Sequence, residues 1–357
     1  METIRVGKLV WQRGVGQRMR NKNTLTFSMV LLAKAYNVEL FLFSKDGVDF
    51  EAKTIYGAFY ENGKWVYKTV PIPPLIDAVN HGMSSFVLKM EKYSRLVQPF
   101  RKPRKFKTYE VLEADGKHAN WLIPTEKVAN FEDVKKALDN YGGRTIVKHT
   151  NGSGGTSVFS VSLNNGGYDV HKGTDKKHFD EEGTSTYINE ILSSERASYI
   201  AQAYINSKTC FDEPCDLRLH CRRGKDGEFF IDLIARIGAK DSIVSNWSSG
   251  GYIMECKEFL KREFGNEWKN EYDKLMAFGK EYSIYYQSLF PRRTTSVVGI
   301  DLGFQRENDE IKYYIFEINT YVLGFLQFRV SDSVNQLEYY RHLWDKHELS
   351  KIERGSK

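Results

Sequence analysis

Four cysteines in 357 residues, Cys210, Cys215, Cys221 and Cys256, are too few for a disulfide framework, and none forms a CxxC pair with a second pair elsewhere. Reduced thiols are expected. No apolar run approaches the roughly 20 residues that span a bilayer as a helix. The opening METIRVGKLV lacks the basic-then-apolar pattern of a secretory leader. We therefore expect a cytoplasmic chain with no membrane partner. Internal repeats and low-complexity tracts are also missing, which argues against repeat architectures. No Ser/His/Asp or Cys/His constellation stands out, so nucleophilic catalysis has no carrier. The formal charge of +6 is small for this length and favours an anionic ligand only weakly.

What is present fits a folded protein of two or three packed lobes. Hydrophobic residues make up 41% and charged residues 27%, near the soluble globular average, and 21 Tyr and 22 Phe offer large packing surfaces. The run Ile4 to Val10 reads as a strand, Leu25 to Ala35 as a helix and Val38 to Phe43 as a second strand, together a βαβ unit. Pro71-Ile72-Pro73-Pro74 interrupts regular structure before another helical stretch. From Lys105 the character changes. Lys105 to Leu112 reads as a short helix, and Asn130 caps a helix carrying Val134, Leu138 and Tyr141 that Gly142-Gly143 ends. Thr145 to Lys148 and Ser157 to Ser162 are strands around a glycine-rich loop, and a helix near Thr186 to Ser194 precedes the strand Tyr199 to Ile205. Two hairpins follow, Asp216 to Arg222 with Phe229 to Gly238, and Val297 to Phe304 with Tyr313 to Asn319, separated by a helical region from Glu258 to Ser288.

Three constellations can carry chemistry. In Lys148-His149-Thr150-Asn151-Gly152-Ser153-Gly154-Gly155-Thr156, small residues let backbone N–H groups converge on phosphate oxygens beside a strand-borne lysine. A plain hairpin tip is the alternative. In the second hairpin, Glu317 and Asn319 share a strand face. If the turn centres on Asp309, Asp301 faces Glu317 and Gly299 faces Asn319. Two carboxylates and an amide oxygen, with a glycine leaving room, suit Mg²⁺; a solvent-facing acidic pair is the other reading. In the first hairpin, Asp216 and Arg218 share a face, with Arg236 of matching parity on the partner strand. Two guanidiniums could hold a triphosphate or an acyl phosphate, or either could form a salt bridge with Asp216. The basic cluster Arg101 to Lys107 reads as a solvated linker or a nucleic-acid patch; no aromatic stacking pattern accompanies it, so no nucleic-acid partner is expected.

Taken in this order, the pieces resemble the ATP-grasp superfamily, and within it the bacterial YheC/YheD type associated with the endospore coat. The resemblance runs from Lys105 to about Gly324. It implies an α/β (α+β) fold with an N-terminal βαβ-type (pre-ATP-grasp) domain over residues 1–104, a central lobe over 105–205 and a C-terminal lobe over 206–357, with ATP between the two lobes. It further implies that Lys105 and Lys148 are the nucleotide lysines, with Lys107 the register alternative, and that Gly152, Ser153, Gly154, Gly155 and Thr156 cover the phosphates. The backbone of Gln202, Ala203, Tyr204 and Ile205 would meet the adenine edge, and Phe316 would pack on the base. Arg218, Arg236 and Asn246 take catalytic roles by the same carry-over, and Asp301, Glu317 and Asn319 hold Mg²⁺, with Mn²⁺ as an alternative. After Asn319 this chain has Thr320-Tyr321-Val322-Leu323-Gly324 and keeps only the glycine of the family's Pro-Gly. The implied activity is ligation of a small-molecule or peptide carboxylate to an amine through an acyl phosphate. A structural protein that has lost turnover, and an ATP-grasp enzyme forming another bond type, remain as alternatives.

Overall fold

The computed structural model describes residues 2–10, 15–16, 25–78, 84–97, 105–150, 157–193, 198–243, 245, 250–289, 296–308, 310–320 and 330–346. Three sheets organise them. The first contains β1 (Ile4–Leu9), α1 (Leu25–Ala33) leading to β2 (Val38–Phe43), then β3 (Val48–Asp49), β4 (Thr54–Glu61), β5 (Lys64–Pro71), β6 (Leu75–Asp77), α2 (Ser85–Met90) and β7 (Arg95–Val97). β1 pairs in parallel with β2 on one side and β6 on the other, the expected βαβ unit. The β4–β5 hairpin was not anticipated, although Asn62-Gly63 announces it. Both turn residues have positive φ, 47° and 80°, as a two-residue hairpin loop requires.

After α3 (Lys105–Asp115), the second sheet is built from β8 (Thr125–Val128), α4 (Phe131–Asn140), β9 (Arg144–His149), β10 (Val158–Asn164), β11 (Gly167–Lys172), β12 (Asp175–Phe179), α5 (Glu181–Ser193) and β13 (Tyr199–Ala203). Asn130 caps α4 as expected, its side chain accepting from the Asp133 N–H at 3.0 Å. The strand order is β12-β11-β10-β9-β13-β8. This sheet has its own core, in which Val134, Leu138, Val147 and Phe159 are buried.

The third sheet is wholly antiparallel. It comprises β14 (Cys215–Arg223), β15 (Phe229–Ile237), β16 (Tyr252–Glu255), then α6 (Cys256–Phe264) and α7 (Trp268–Ser288), and finally β17 (Val297–Glu307) and β18 (Glu310–Asn319). Alternation decides its two faces. Leu217, Leu219 and Cys221 enter the core shared with α6 and α7, while Asp216, Arg218, His220 and Arg222 project to the opposite side. All four of those polar residues are nonetheless buried. Each therefore needs a charged or hydrogen-bonding partner.

Two packing relations cross the chain order. α3 opens the expected central lobe, yet Leu112 lies in the core of the third sheet and Tyr285 donates to Asp115 at 2.6 Å. Trp121 stacks on Phe278 at 3.7 Å, and Leu122 bridges to Ile315. The last described helix, α8 (Val330–Asp345), returns to the first sheet and buries Leu337, Tyr340 and Leu343 beside Val6 and Leu40. Among the described residues, no helix is long and apolar enough to cross a membrane.

Candidate nucleotide and metal site

The β17–β18 hairpin aligns Gly299 with Asn319 and Asp301 with Glu317, as expected, by a route the strand periodicity did not reveal. The outer pairs, such as Phe304 with Tyr313, are offset by one residue from that register, so the turn sits half a residue earlier than supposed, around Asn308. Asp309 itself lies outside the described residues. A β-bulge between Asp301 and Leu302 absorbs Phe316 as an extra residue and restores the pairing at the site. A bulged residue leaves the ladder, and the Phe316 carbonyl accepts instead from Lys148 Nζ at 3.0 Å. This bond joins β9 of the second sheet to β18 of the third.

The Phe316 ring occupies the space above Gly303. A Cβ built on Gly303 would lie 2.0 Å from Phe316 Cζ, so no other residue fits beneath the ring where it stands. Sequence reading passed over Gly303; the available signal was a glycine inside an otherwise apolar strand. Gly303→Ala keeps an ordinary backbone conformation but must expel the ring. Isothermal titration is expected to show nucleotide binding weakened about fivefold, the value of one aromatic packing contact, with the melting transition retained. Unchanged affinity would dissociate Phe316 from nucleotide binding.

Asp301 lies at the centre of a chain of alternating charges. Arg218 grips it with both Nε and Nη2, the latter at 2.7 Å from Oδ2, and Arg236 Nη2 approaches the same oxygen to 3.1 Å. Arg236 is itself held by Asp216 through two bonds of 2.6 Å, and Ser245 donates to Asp216 as well. Sequence parity left open which arginine meets Asp216. The register gives it to Arg236, because Asp216 pairs directly with Arg236 while Arg218 pairs with Asp301. Burial alone would raise the Asp301 pKa; the two guanidiniums outweigh it and hold the carboxyl at about 2. Burial likewise works against charge on Arg236, and Asp216 and Asp301 reverse it, leaving its pKa raised.

Asp301, Glu317 and Asn319 thus share one face of adjacent strands, and Asn319 Nδ2 lies 3.4 Å from Asp301 Oδ2. Among the described residues there is no cluster of three His, Cys, Asp or Glu suited to a metal. Two carboxylates with an amide oxygen fit Mg²⁺ nevertheless, since that ion completes its shell with phosphate and water oxygens. A Cβ on Gly299 would lie 3.6 Å from Asn319 Cβ, an ordinary van der Waals contact.

Lys148, Gln202, Phe316 and Glu317 line a small cavity of about 50 Å³, together with Thr108 and Tyr109 of α3. The contribution of α3 through these two residues was not anticipated. Gln202 is tied into the second sheet on both sides by β8 and β9, Ala203 pairs with Thr145 of β9, and Gln202 Nε2 donates to Thr125 Oγ1 at 2.7 Å. Of the four expected adenine-edge residues, only Tyr204 and Ile205 have left the strand, and Tyr204 carries the Arg144 guanidinium 3.5 Å from its ring centroid. Gly152, Ser153, Gly154, Gly155, Thr156 and Asn246 lie outside the described residues, as does the Lys105 side chain. A larger open cavity of about 1,440 Å³, lined by residues such as Arg5, Glu39, Tyr60 and Trp344, lies on the first sheet and includes none of the candidate residues.

Comparison with known proteins agrees with this architecture. A family model described as YheC/D-like ATP-grasp matches residues 96–346. Endospore coat-associated protein YheD of Bacillus subtilis (strain 168) is 25% identical over 276 residues, 72% of this chain and 61% of YheD. YheC of the same organism is 28% identical over 138 residues, 37% of each chain. The matched part of this chain therefore spans less than two thirds of either relative. Among solved structures, D-alanyl-alanine synthetase A from Vibrio cholerae superposes with a TM-score of 0.52 at 11% identity, covering 96% of this chain and 99% of that one. ATP-grasp ligase PsnB, solved with precursor peptide PsnA2 and AMPPNP, gives 0.52 at 12% identity, covering 94% and 98%. At such identities the likeness concerns the fold, which is the ATP-grasp fold. With its family model matched over more than half its length, this chain belongs to the YheC/D-like ATP-grasp family.

Proposed function

We propose that this protein is an ATP-dependent carboxylate–amine ligase whose metal site is Asp301, Glu317 and Asn319. The observation that carries the proposal is the arrangement of two carboxylates and an amide beside Lys148, Phe316, the buried Arg218 and the part-buried Arg236. The family, and solved neighbours named as ligases, support the same reading. Mg²⁺, when bound, would neutralise charge on the β- and γ-phosphates. Lys148 would add a point charge to the phosphates from the second sheet, and Phe316 would present its ring to the base. Arg218 and Arg236 would face the anion that develops as a substrate carboxylate attacks the γ-phosphorus and ADP leaves. An amine then attacks the acyl carbon, phosphate departs and the amine loses a proton. Positioning and charge neutralisation suffice for this chemistry, so the missing nucleophile is no obstacle.

Incubation with Mg-ATP and pooled amino acids or short peptides tests the proposal. ADP, phosphate and a product lighter by one water than its two precursors are expected. Nucleotide binding without ADP release in any pool would favour a protein that has lost turnover, and no nucleotide binding would end the reading. Lys148→Ala should weaken ATP binding about tenfold, as the loss of one charge-assisted contact implies; an unaltered affinity by titration would remove Lys148 from the site.

A further inference from the structure

Amide formation leaves a proton to be placed: an amine arrives as an ammonium ion and must lose one before it can attack. A buried imidazole of the third sheet stands near enough to take it. His220 follows Arg218 on the same face of β14, and it pairs with Gly299 of β17 while Arg218 pairs with Asp301. Gly299 in turn pairs with Asn319. Two rows of side chains therefore cross the three strands. In one, Asp301 stands between Arg218 and Glu317; in the other, only a glycine separates His220 from Asn319, whose Cα atoms are two strand spacings, about 10 Å, apart. A Cβ built on Gly299 meets nothing closer than 3.6 Å, so an added atom has room there.

The ring is oriented for such a proton. His220 is 1% exposed, and its Nε2 lies 2.7 Å from Oδ1 of Asp332 in the first turn of α8. Burial works against charge on Asp332, yet Arg222 and the imidazole hold its carboxyl well below the usual range, so the ring nitrogen that faces it is the donor. Nδ1 is then the basic nitrogen of the neutral ring. Among the described residues it has no hydrogen-bond partner. Neutralising Asp332 does not require the histidine, because Arg222 Nε and Nη2 already meet its two oxygens at 2.7 and 3.0 Å. The other charged neighbours are Arg218 and Arg222 on the same strand face and Asp232, the direct partner of His220 on β15; the partner on β17 is the uncharged Gly299.

We infer that His220 is the base of the ligation step: Nδ1 takes a proton from the substrate ammonium, and Asp332 steadies the resulting imidazolium through Nε2. The neutral amine forms its C–N bond with the acyl carbon. The bond from that carbon to the phosphate oxygen breaks, and phosphate leaves with the electron pair and the second amine proton. The inference rests on the ligase reading proposed above.

His220→Gln in the full chain keeps an N–H for Asp332 and removes the base. With Mg-ATP and pooled amino acids or short peptides at pH 7, it should form the dehydrated product about a hundredfold more slowly than the parent, the usual weight of general base catalysis. Hydroxylamine is already uncharged at this pH and needs no base. Added in excess, it should give hydroxamates, read as their ferric complexes, at a rate within about twofold of the parent. The amide deficit should also shrink about tenfold from pH 7 to pH 8, as the substrate supplies more neutral amine by itself. A loss shared equally by amide and hydroxamate, or absent from both, overturns the assignment and leaves His220 a structural partner of Asp332. Should His220→Gln show no cooperative melting transition, the pH profile of the parent decides. Amide formation that levels off between pH 7 and pH 8 upholds the base, and a rise of about tenfold over that unit overturns it. A parent protein that yields neither ADP nor hydroxamate with any pool sinks the proposed function and the base with it, whereas ligation without the split between amine and hydroxylamine sinks only the base.

Discussion

Glu317→Gln is expected to reduce Mg²⁺-dependent ADP release by about a hundredfold to a thousandfold, the scale on which a directed charge contact stabilises a developing anion. Glu317 is half-buried at the cavity, on the strand face it shares with Asn319 and directly across from Asp301. Glutamine preserves the volume and the neighbours of that position but replaces a carboxylate with an amide, a far weaker ligand for a hard cation. The hydrophobic contacts of β18, made by Tyr313, Ile315 and Ile318, are untouched, so the melting temperature should move by only a few degrees. Full ADP release by the variant, measured under the pooled-substrate conditions that activate the parent, would refute the assignment of Glu317 to the metal.

The second large effect is one of stability. Asp332→Ala should lower the unfolding free energy by about 3–5 kcal/mol, the cost of breaking a buried ion pair from one side. Asp332 sits in the first turn of α8, fully buried, where it accepts from Arg222 Nε at 2.7 Å, Arg222 Nη2 at 3.0 Å and His220 Nε2 at 2.7 Å. Arg222 is 1% exposed and, among the described residues, its Nη1 has no hydrogen-bond partner, so Asp332 is the counter-charge that makes its burial tolerable. Four and eight residues later on the same helix face, Gln336 and Tyr340 donate to Asp77 at 2.8 and 2.7 Å, where Lys8 also pairs. One polar helix face therefore ties the third sheet to the first.

Burial would raise the Asp332 pKa, but Arg222 and His220 hold the carboxyl well below the usual range. A depressed carboxylate contributes stability above its unfolded pKa of about 3.9, and loses it as pH falls toward the folded value. The variant's deficit should consequently be full at pH 7 and shrink in acid. Denaturant unfolding of both proteins at pH 7 and pH 3 measures this. A deficit that is absent at pH 7, or larger at pH 3, would contradict the pairing described.

How far the sequence could be read follows the range of the interactions involved. The βαβ start, the Asn130 cap and the two hairpins of the third sheet depend on periodicity and local hydrogen bonds, and each is found where expected. The Asn62-Gly63 hairpin was equally local and was overlooked. Strand β12 is polar and has no buried residue, so hydrophobic alternation gave it no signal, whereas in β11 the buried Tyr168 and Val170 alternate with Asp169 and His171, a local signal that was overlooked. The helical stretch from Glu258 to Ser288 proved to be two helices, divided near Gly265 with φ 52°.

At the candidate site, strand parity put Glu317 with Asn319, and Asp216 with Arg218 and Arg236, because side chains on a strand alternate; that Asp301 faces Glu317 also required an assumed turn, and it is the bulge at Phe316 that restores this pairing. Parity could not choose between two compatible partners. Only the placement of β14 between β15 and β17 gave Asp216 to Arg236 and Asp301 to Arg218. The bulge at Phe316 and its seat above Gly303 belong to the pairing of β17 with β18, and the carbonyl bond to Lys148 needed the second sheet to be laid against the third. α8 meets the third sheet through Asp332 and the first through Gln336 and Tyr340, joining residues more than a hundred positions apart. A chain's own periodicity fixes which face a residue occupies; which distant charge meets it there is decided by burial, which admits a polar group only with a partner.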